Sequence, residues 1–387
     1  MLKQILDNRI LLLYVIPFSL GVLSVFSFQP FNLSVLNFFI LPILFFIIVN
    51  VSKRSKSRYR KKPHLKNLFS IGLFFGFGFY LSGIFWITYS LTFDENFKFL
   101  IPFALILIPL FLSLFYGIWV LLIGKFLNYN LHSIILFSGS LAFTDYVKGK
   151  ILTGFPWNLW SYSWSWFTEI LQILNLTGLY AFNLIVITIF TVPVILLFKN
   201  EFSKKIFVLS ITFLIIFLSY IYGTATLNKN KALLNYINEN NKIYVKVVSP
   251  NFKLKYNISS LEIEEKLKKL IKYSDPNPDK ETLFIWPEGI FTGFYFDEIL
   301  KFKDLIKNEF NNKDLILFGI NTIGNNSNKH FNSLIIINND LEILYTYNKK
   351  KLVPFGEFLP FENLLSNFGI KKITEGHSSF STGNNQK

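Results

Sequence analysis

The sequence predicts two parts in tandem, a multi-pass α-helical membrane bundle followed by a layered α/β domain. Three observations predict this. The 387-residue chain is 51% hydrophobic and only 16% charged, too apolar for a chain that lives wholly in water. Its mean hydropathy is +0.40, and the long apolar runs sit in its first 226 residues. From about residue 242 short β-like runs alternate with amphipathic helix patterns. The expected boundaries are 1–226 for the membrane part and 242–387 for the aqueous part.

Seven apolar runs, near residues 10–28, 34–51, 68–92, 99–124, 131–148, 169–198 and 205–224, supply the bundle of about seven transmembrane helices. Most are long enough at helical rise to cross a hydrocarbon core of about 30 Å. The first has no small-residue cleavage site and is followed closely by others, so it reads as an anchor rather than a signal peptide. The connection SKRSKSRYRKKPHLK carries Lys53, Arg54, Lys56, Arg58, Arg60, Lys61, Lys62 and Lys66, and is expected on the cytoplasmic side. Lys125 and the KNEFSKK turn fall on that side by alternation; the loops at 29–32, 92–98 and 149–168 fall outside, as does everything after Gly223. Asp145 and Lys148 lie at a span end, and no span carries the paired charges a transporter would want.

The external loop KGKILTGFPWNLWSYSWSW holds Trp157, Trp160, Trp164 and Trp166 beside Phe155 and Tyr162. It reads either as an interfacial aromatic belt or as a loop that touches a lipid. The net charge of +15 would suit nucleic acid or anionic lipid, but the densest basic stretch lies between two spans, where topology accounts for it. Nucleic acid is therefore not an expected partner. The absence of Cys excludes disulfides and thiolate metal sites within these residues, and His64, His132, His330 and His377 are isolated. Neither a metal nor another cofactor is expected.

In the aqueous part IYVKVVS (243–249), TLFIW (282–286), LILFGI (315–320), SLIIIN (333–338) and LEILYTY (341–347) read as strands. SSLEIEEKLKKLIKYS opens with Ser259 and Glu262 at capping-box spacing and aligns Ile263, Leu267, Leu270 and Ile271. DEILKFKDLIKNEF places Ile299, Phe302, Ile306 and Phe310 on one stripe, while 275–279 and 321–329 read as turns or loops.

Two places concentrate polar groups at strand ends. In FIWPEGIF a strand stops at Trp286, Pro287 breaks it and Glu288 emerges at the carboxyl edge, where ligands collect in open α/β sheets; a solvated turn glutamate is the alternative. In YNKKKLVPFGEFLP, Lys349 follows a strand and Glu357 follows a turn, with a surface lysine cluster as the alternative.

IWPE followed by YNKKKLVPFGEFLP resembles the nitrilase (carbon–nitrogen hydrolase) superfamily. Joined to the upstream TGFPWNLW and the apolar runs, the pattern resembles the apolipoprotein N-acyltransferase family. VVSPN (247–251) and GINTIGNNSNKHFNS (319–333) also resemble that family, and the likeness runs from about residue 10 to the end. The resemblance implies that the α/β part is a nitrilase-like sandwich, incomplete here. It implies Glu288 as general base, Lys349 as catalytic lysine and Glu357 as a supporting acid. Trp157 and Tyr256 become substrate contacts, Tyr256 standing where the family carries Trp. The implied reaction moves an acyl chain from a phospholipid to the N-terminal amine of a diacylglyceryl-modified apolipoprotein, through a thioester on a Cys. The implied place is the bacterial inner membrane with the catalytic domain on the periplasmic face.

That Cys lies in a Cys-Tyr-Glu type motif in the family, and this sequence has no Cys. Ser378, Ser379 and Ser381 precede the expected position and are poor substitutes. The chain is therefore expected to be a C-terminally incomplete form, inactive alone. A membrane-tethered amidase and an inactive scaffold are the competing expectations. Sequencing beyond codon 387 decides among them: an in-frame Cys-Tyr-Glu followed by one more apolar span is expected, and an immediate stop would favour the scaffold.

Overall fold

The computed structural model describes residues 8–56, 63–93, 95–151, 154–199, 201–240, 244–253, 258–291, 293–324, 329–354, 356–359 and 379–384. The chain divides into two compact units, Met1–Leu233 and Leu234–Lys387.

The first unit is helical: α1 (Leu11–Val25), α2 (Asn37–Lys56), α3 (Pro63–Gly83), α4 (Ile101–Ile123), α5 (Leu131–Lys148), α6 (Leu174–Thr191) and most of α7 (Phe202–Asn240), whose residues from Leu234 on fall in the second unit. Five stretches are long and apolar enough to cross a membrane by length and composition: Ser34–Lys53, His64–Gly83, Phe97–Ile123, Leu174–Leu197 and Phe202–Ile237. The apolar runs near 10–28 and 131–148 form α1 and α5, which fall outside that set. The run expected over 68–92 ends as an α-helix at Gly83 and continues as a 3₁₀ segment, Phe85–Thr92. The run over 169–198 is broken by Gly178, whose φ of 70° and ψ of 170° are not helical. The last run was expected to stop near 224, but α7 carries on to Asn240, because after Gly223 its polar tail holds neither Gly nor Pro to stop it. The expected boundary at 226 thus lies inside a helix. Of the basic connection, residues 57–62 lie outside the described residues.

Glycines let the helices approach. A β-carbon on Gly72 would sit 2.2 Å from the Tyr116 carbonyl of α4, and one on Gly21 would sit 2.1 Å from the Phe75 carbonyl of α3. Such small-residue contacts are how helices pack where lipid offers no hydrophobic drive. Around them the rings of Phe75, Phe79, Tyr116 and Trp160 fill the core, with Phe79 and Trp160 stacked at 5.4 Å. The tryptophans of the loop after α5 therefore do not act alike: Trp160 and Trp164 are core residues, whereas Trp157 and Trp166 are exposed.

The second unit is a five-stranded sheet in the order β1 (Tyr244–Val247), β2 (Thr282–Ile285), β3 (Leu315–Ile323), β4 (His330–Ile337), β5 (Ile343–Asn348). The β1–β2 and β2–β3 pairs are parallel, while β3–β4 and β4–β5 are antiparallel. β5 therefore runs with β1, β2 and β3. α8 (Ser260–Ser274) forms as its sequence predicts, with the Ser259–Glu262 capping box present. The second helix pattern is broken into Phe296–Ile299, a 3₁₀ turn and Lys303–Lys307, yet its stripe of Ile299, Phe302, Ile306 and Phe310 is buried as expected. The loop expected over 321–329 is partly strand, since β3 persists to Ile323 and β4 starts at His330; residues 325–328 lie outside the described residues.

Helices cover one sheet face, where Phe284, Ile316, Phe318, Ile335 and Ile337 are buried. The registered pairs put Val245, Leu283, Leu315 and Val247, Ile285, Leu317, Ile336, Tyr345 on the opposite face. That face is also apolar but uncovered: Val247 is 72% and Tyr345 54% exposed. A second sheet facing it is not among the described residues.

Replacing Gly72 by Leu forces α3 from α4 and is expected to destabilise the bundle by about 2 kcal/mol or more. Gly139→Ala, where no atom lies within 4 Å of a new β-carbon, is expected to be silent. Thermal unfolding of the detergent-solubilised protein compares the two.

Candidate active site

The sheet brings the carboxyl ends of β1, β2, β3 and β5 and the amino end of β4 to one edge. Trp286 is buried between the rings of Phe310 and Phe318 and donates its Nε1 proton to Ser274 Oγ at 2.9 Å. With that side chain pinned inward, Glu288 emerges beyond the strand and is exposed. Gly289 follows with φ 73°, a left-handed turn that glycine adopts without cost. The turn carries Glu288 over β3: a β-carbon on Gly319 would lie 3.7 Å from Glu288 Cγ and 3.9 Å from its Cα. A branched side chain at 319 would push the carboxylate aside.

At the end of β5, Lys349 donates its backbone N–H to the Asn332 carbonyl at 2.8 Å. Its ammonium reaches Glu357 Oε1 at 2.8 Å. The same oxygen accepts Asn332 Nδ2 at 2.6 Å, and Oε2 accepts the Val353 N–H at 2.7 Å. The Glu357 N–H returns to the Val353 carbonyl, so the turn is tied in both directions. The Glu357 side chain is only 11% exposed and that of Lys349 34%. Three donors on one sheltered carboxylate fix its orientation and hold the lysine close beside it. Segment 379–384 lies along this edge: Phe380 N–H donates to the Glu357 carbonyl, Ser381 N–H to the His330 carbonyl, and Gly383 N–H to the Lys349 carbonyl. Ser333 Oγ, within 2.6 Å of Thr322 Oγ1, donates to Asn348 Oδ1 and braces the base of the edge. Tyr295, bridged to Asn321 there, has its phenol pushed up by burial first and by Glu298 second.

Lys349 and Glu357 are thus brought together. Glu288 shares their sheet edge but not their hydrogen bonds: the lysine ammonium goes to Glu357. Trp157 belongs to the first unit, 47% exposed and 5.4 Å from the ring of Trp86. Tyr256 lies outside the described residues. Asn332 and Gly319 were not singled out from sequence, although both fall within GINTIGNNSNKHFNS. Among the described residues no group of three His, Asp or Glu side chains is placed to hold a metal ion.

Comparison with known proteins bears on this arrangement. Residues 20–192 match the family model of the apolipoprotein N-acyltransferase N-terminal domain. The chain is 29% identical over 377 residues to the apolipoprotein N-acyltransferase of Rickettsia prowazekii, covering 94% of this chain and 69% of that one. For the Rickettsia typhi protein of the same name the figures are 29% over 380 residues, 96% and 70%, and for that of Brucella melitensis 25% over 375 residues, 94% and 68%. The chain is similar to the apolipoprotein N-acyltransferase family along nearly its whole length. A crystal structure of an N-terminal amidase with an Asn-Glu-Ala peptide aligns with 31% of this chain and 29% of that chain at 13% identity and a TM-score of 0.19, too slight to bear on the fold.

The likeness to whole N-acyltransferases spans the sheet edge as well as the helices, whereas the matched domain model is confined to the first unit. Removing the Glu357 carboxylate leaves Lys349, Asn332 and the Val353 N–H without their acceptor. Glu357→Ala is expected to open the 349–357 turn and speed tryptic cleavage at Lys349–Lys351 about tenfold, the equivalent of one hydrogen bond of roughly 1.4 kcal/mol. Timed digestion read by mass spectrometry checks this.

Proposed function

We propose that this protein serves bacterial lipoprotein N-acylation, with Glu288 and Lys349 at the reacting centre. One observation carries the reading: in a chain similar to this family, the sheet gathers Glu288, Lys349 and Glu357 at a single edge, with Gly319 leaving room for the first and Glu357 anchoring the second. The nucleophile of this reading is a thiol, which these 387 residues do not contain.

In the first step Glu288 takes the proton of the thiol, and the thiolate attacks an ester carbonyl of a phospholipid. The ammonium of Lys349 faces the oxyanion of the tetrahedral intermediate. The intermediate collapses to a thioester; the lysophospholipid leaves as its alcohol, reclaiming the proton. In the second step the α-amine of a diacylglyceryl-cysteine at an apolipoprotein N-terminus attacks the thioester. The amide forms and the thiol is restored. Glu357 keeps Lys349 in place and compensates its charge throughout.

The reading extends to architecture. α1 and α5 join the five long apolar stretches as membrane spans, giving seven. Alternation then delivers the chain after α7 to the periplasmic side, where lipid donor and lipoprotein meet. The uncovered apolar sheet face supports a nitrilase-like sandwich, since a face bearing Val247 and Tyr345 gains by being covered.

The test is acyl transfer by the protein as the cell makes it, in membranes, from labelled phospholipid to a diacylglyceryl-cysteine peptide. Glu288→Gln and Lys349→Met are each expected to lower kcat/KM by roughly a thousandfold. Lys351→Ala is expected to change it less than about twofold, as befits a surface lysine. Wild-type rates in both site variants would sink the assignment.

A further inference from the structure

The first unit holds a group of charges that this reaction does not use. Lys148 and Asp145, at the end of α5, are 2% and 0% exposed, and their charged atoms are 3.5 Å apart. The Lys148 ammonium also donates to Tyr80 OH at 2.8 Å and to the Trp157 carbonyl at 3.1 Å. Asp145 Oδ2 accepts Asn183 Nδ2 at 3.0 Å, and Asn183 Oδ1 accepts the Ser161 N–H at 3.0 Å. Two of these contacts end on the backbone of the loop that carries Trp157. The Phe155 N–H donates to the Lys148 carbonyl, adding a third.

The loop is shaped to receive them. Gly154 has φ 87°, and a β-carbon there would strike the Gly149 carbonyl at 2.2 Å. Asn158 has φ 55° and lies so close to the end of α3 that a β-carbon on Gly83 would be 2.3 Å from its Nδ2. The outcome is a fixed, exposed Trp157 ring against Trp86. Charges out of water are costly, and a well-packed apolar pair in their place commonly holds a fold as well or better. Bundle stability alone therefore does not account for Asp145 and Lys148, whereas loop geometry does.

We propose that the Asp145–Lys148 pair is a positioning lock that holds the Gly154–Ser161 loop so that Trp157 and Trp86 form a rigid seat for the acyl chain of a lipid. The lock is independent of the reaction; the seat rests on the acyl-transfer reading. Neither charged residue touches lipid. Each acts through the backbone of the loop, and the aromatic pair sits where α3 and α5 end, with both rings open to the surroundings.

Two measurements on this chain in phospholipid nanodiscs separate the lock from the seat. The first is hydrogen exchange in the double variant Asp145→Leu/Lys148→Met, chosen to avoid leaving one charge alone. Exchange across 155–161 is expected to rise about tenfold, with α3, α4 and α6 unchanged. Lys148→Arg, which keeps the cation, is expected to restore slow exchange. Unchanged loop exchange, or equal acceleration throughout the helices, overturns the lock. The second is quenching of tryptophan fluorescence by a phospholipid brominated on its acyl chain, added at rising mole fraction. A saturable component of the quenching that is lost in Trp157→Phe and weakens in the double variant supports the seat. Linear quenching untouched by Trp157→Phe means bulk bilayer contact only and overturns the seat while leaving the lock standing. Saturable quenching lost in Trp157→Phe but intact in the double variant keeps the seat and overturns the lock's part in it.

Discussion

An ammonium group drawn wholly or partly out of water must be given oxygen atoms, and in both units such a lysine ties irregular chain in place. Lys148 receives a phenol, a backbone carbonyl and a carboxylate inside a mostly apolar bundle. Lys349 receives a carboxylate at the rim of a sheet, itself held by a side-chain amide and a backbone N–H. Neither loop has a ladder of its own. A sheltered ion pair tolerates few arrangements of its partners, so the segment that supplies them is confined to few as well. Helices and strands fix the lysines; the lysines fix the loops.

The sheet assigns its two faces different tasks. One is packed with Phe284, Phe318 and their neighbours against α8 and the short helices, which supplies the core of the unit. The other keeps its apolar side chains partly open along the strands and turns polar at one edge, where Asn332, Lys349 and Glu357 cluster. Gly319 lies on that open face, and a small residue there is what allows the chain after β2 to fold back across β3. Chemistry on the face that is not needed for the core can be shaped without disturbing the core.

Much of this was legible locally. The capping box of α8, its buried stripe, the five strands and the breaking of β2 at Pro287 follow from side chains within a few residues of each other. The apolar runs announced the helices of the first unit, though not where they would bend, because a break at Gly178 or a change to 3₁₀ winding after Gly83 leaves the hydropathy of the run unaltered. The motif around Lys349 and Glu357 was legible because its two charges are eight residues apart. Their third partner, Asn332, was not, since it stands 25 residues away and only β4–β5 pairing brings it near. The four loop tryptophans looked equivalent in sequence and are not: burial of Trp160 among Phe75 and Phe79 is decided by how α3 packs.

By itself the sequence determined where the apolar helical runs and the five strands lie, and which residues of IWPE and KKKLVPFGE stand at strand ends, since periodicity and turn chemistry act over short separations. Only the tertiary structure decided that the sheet is left open on one face, that Glu288 lies over Gly319, and that Lys148 closes on the Trp157 carbonyl. These depend on strand order, register and helix approach. Such features join atoms distant in the chain, and no local preference encodes them.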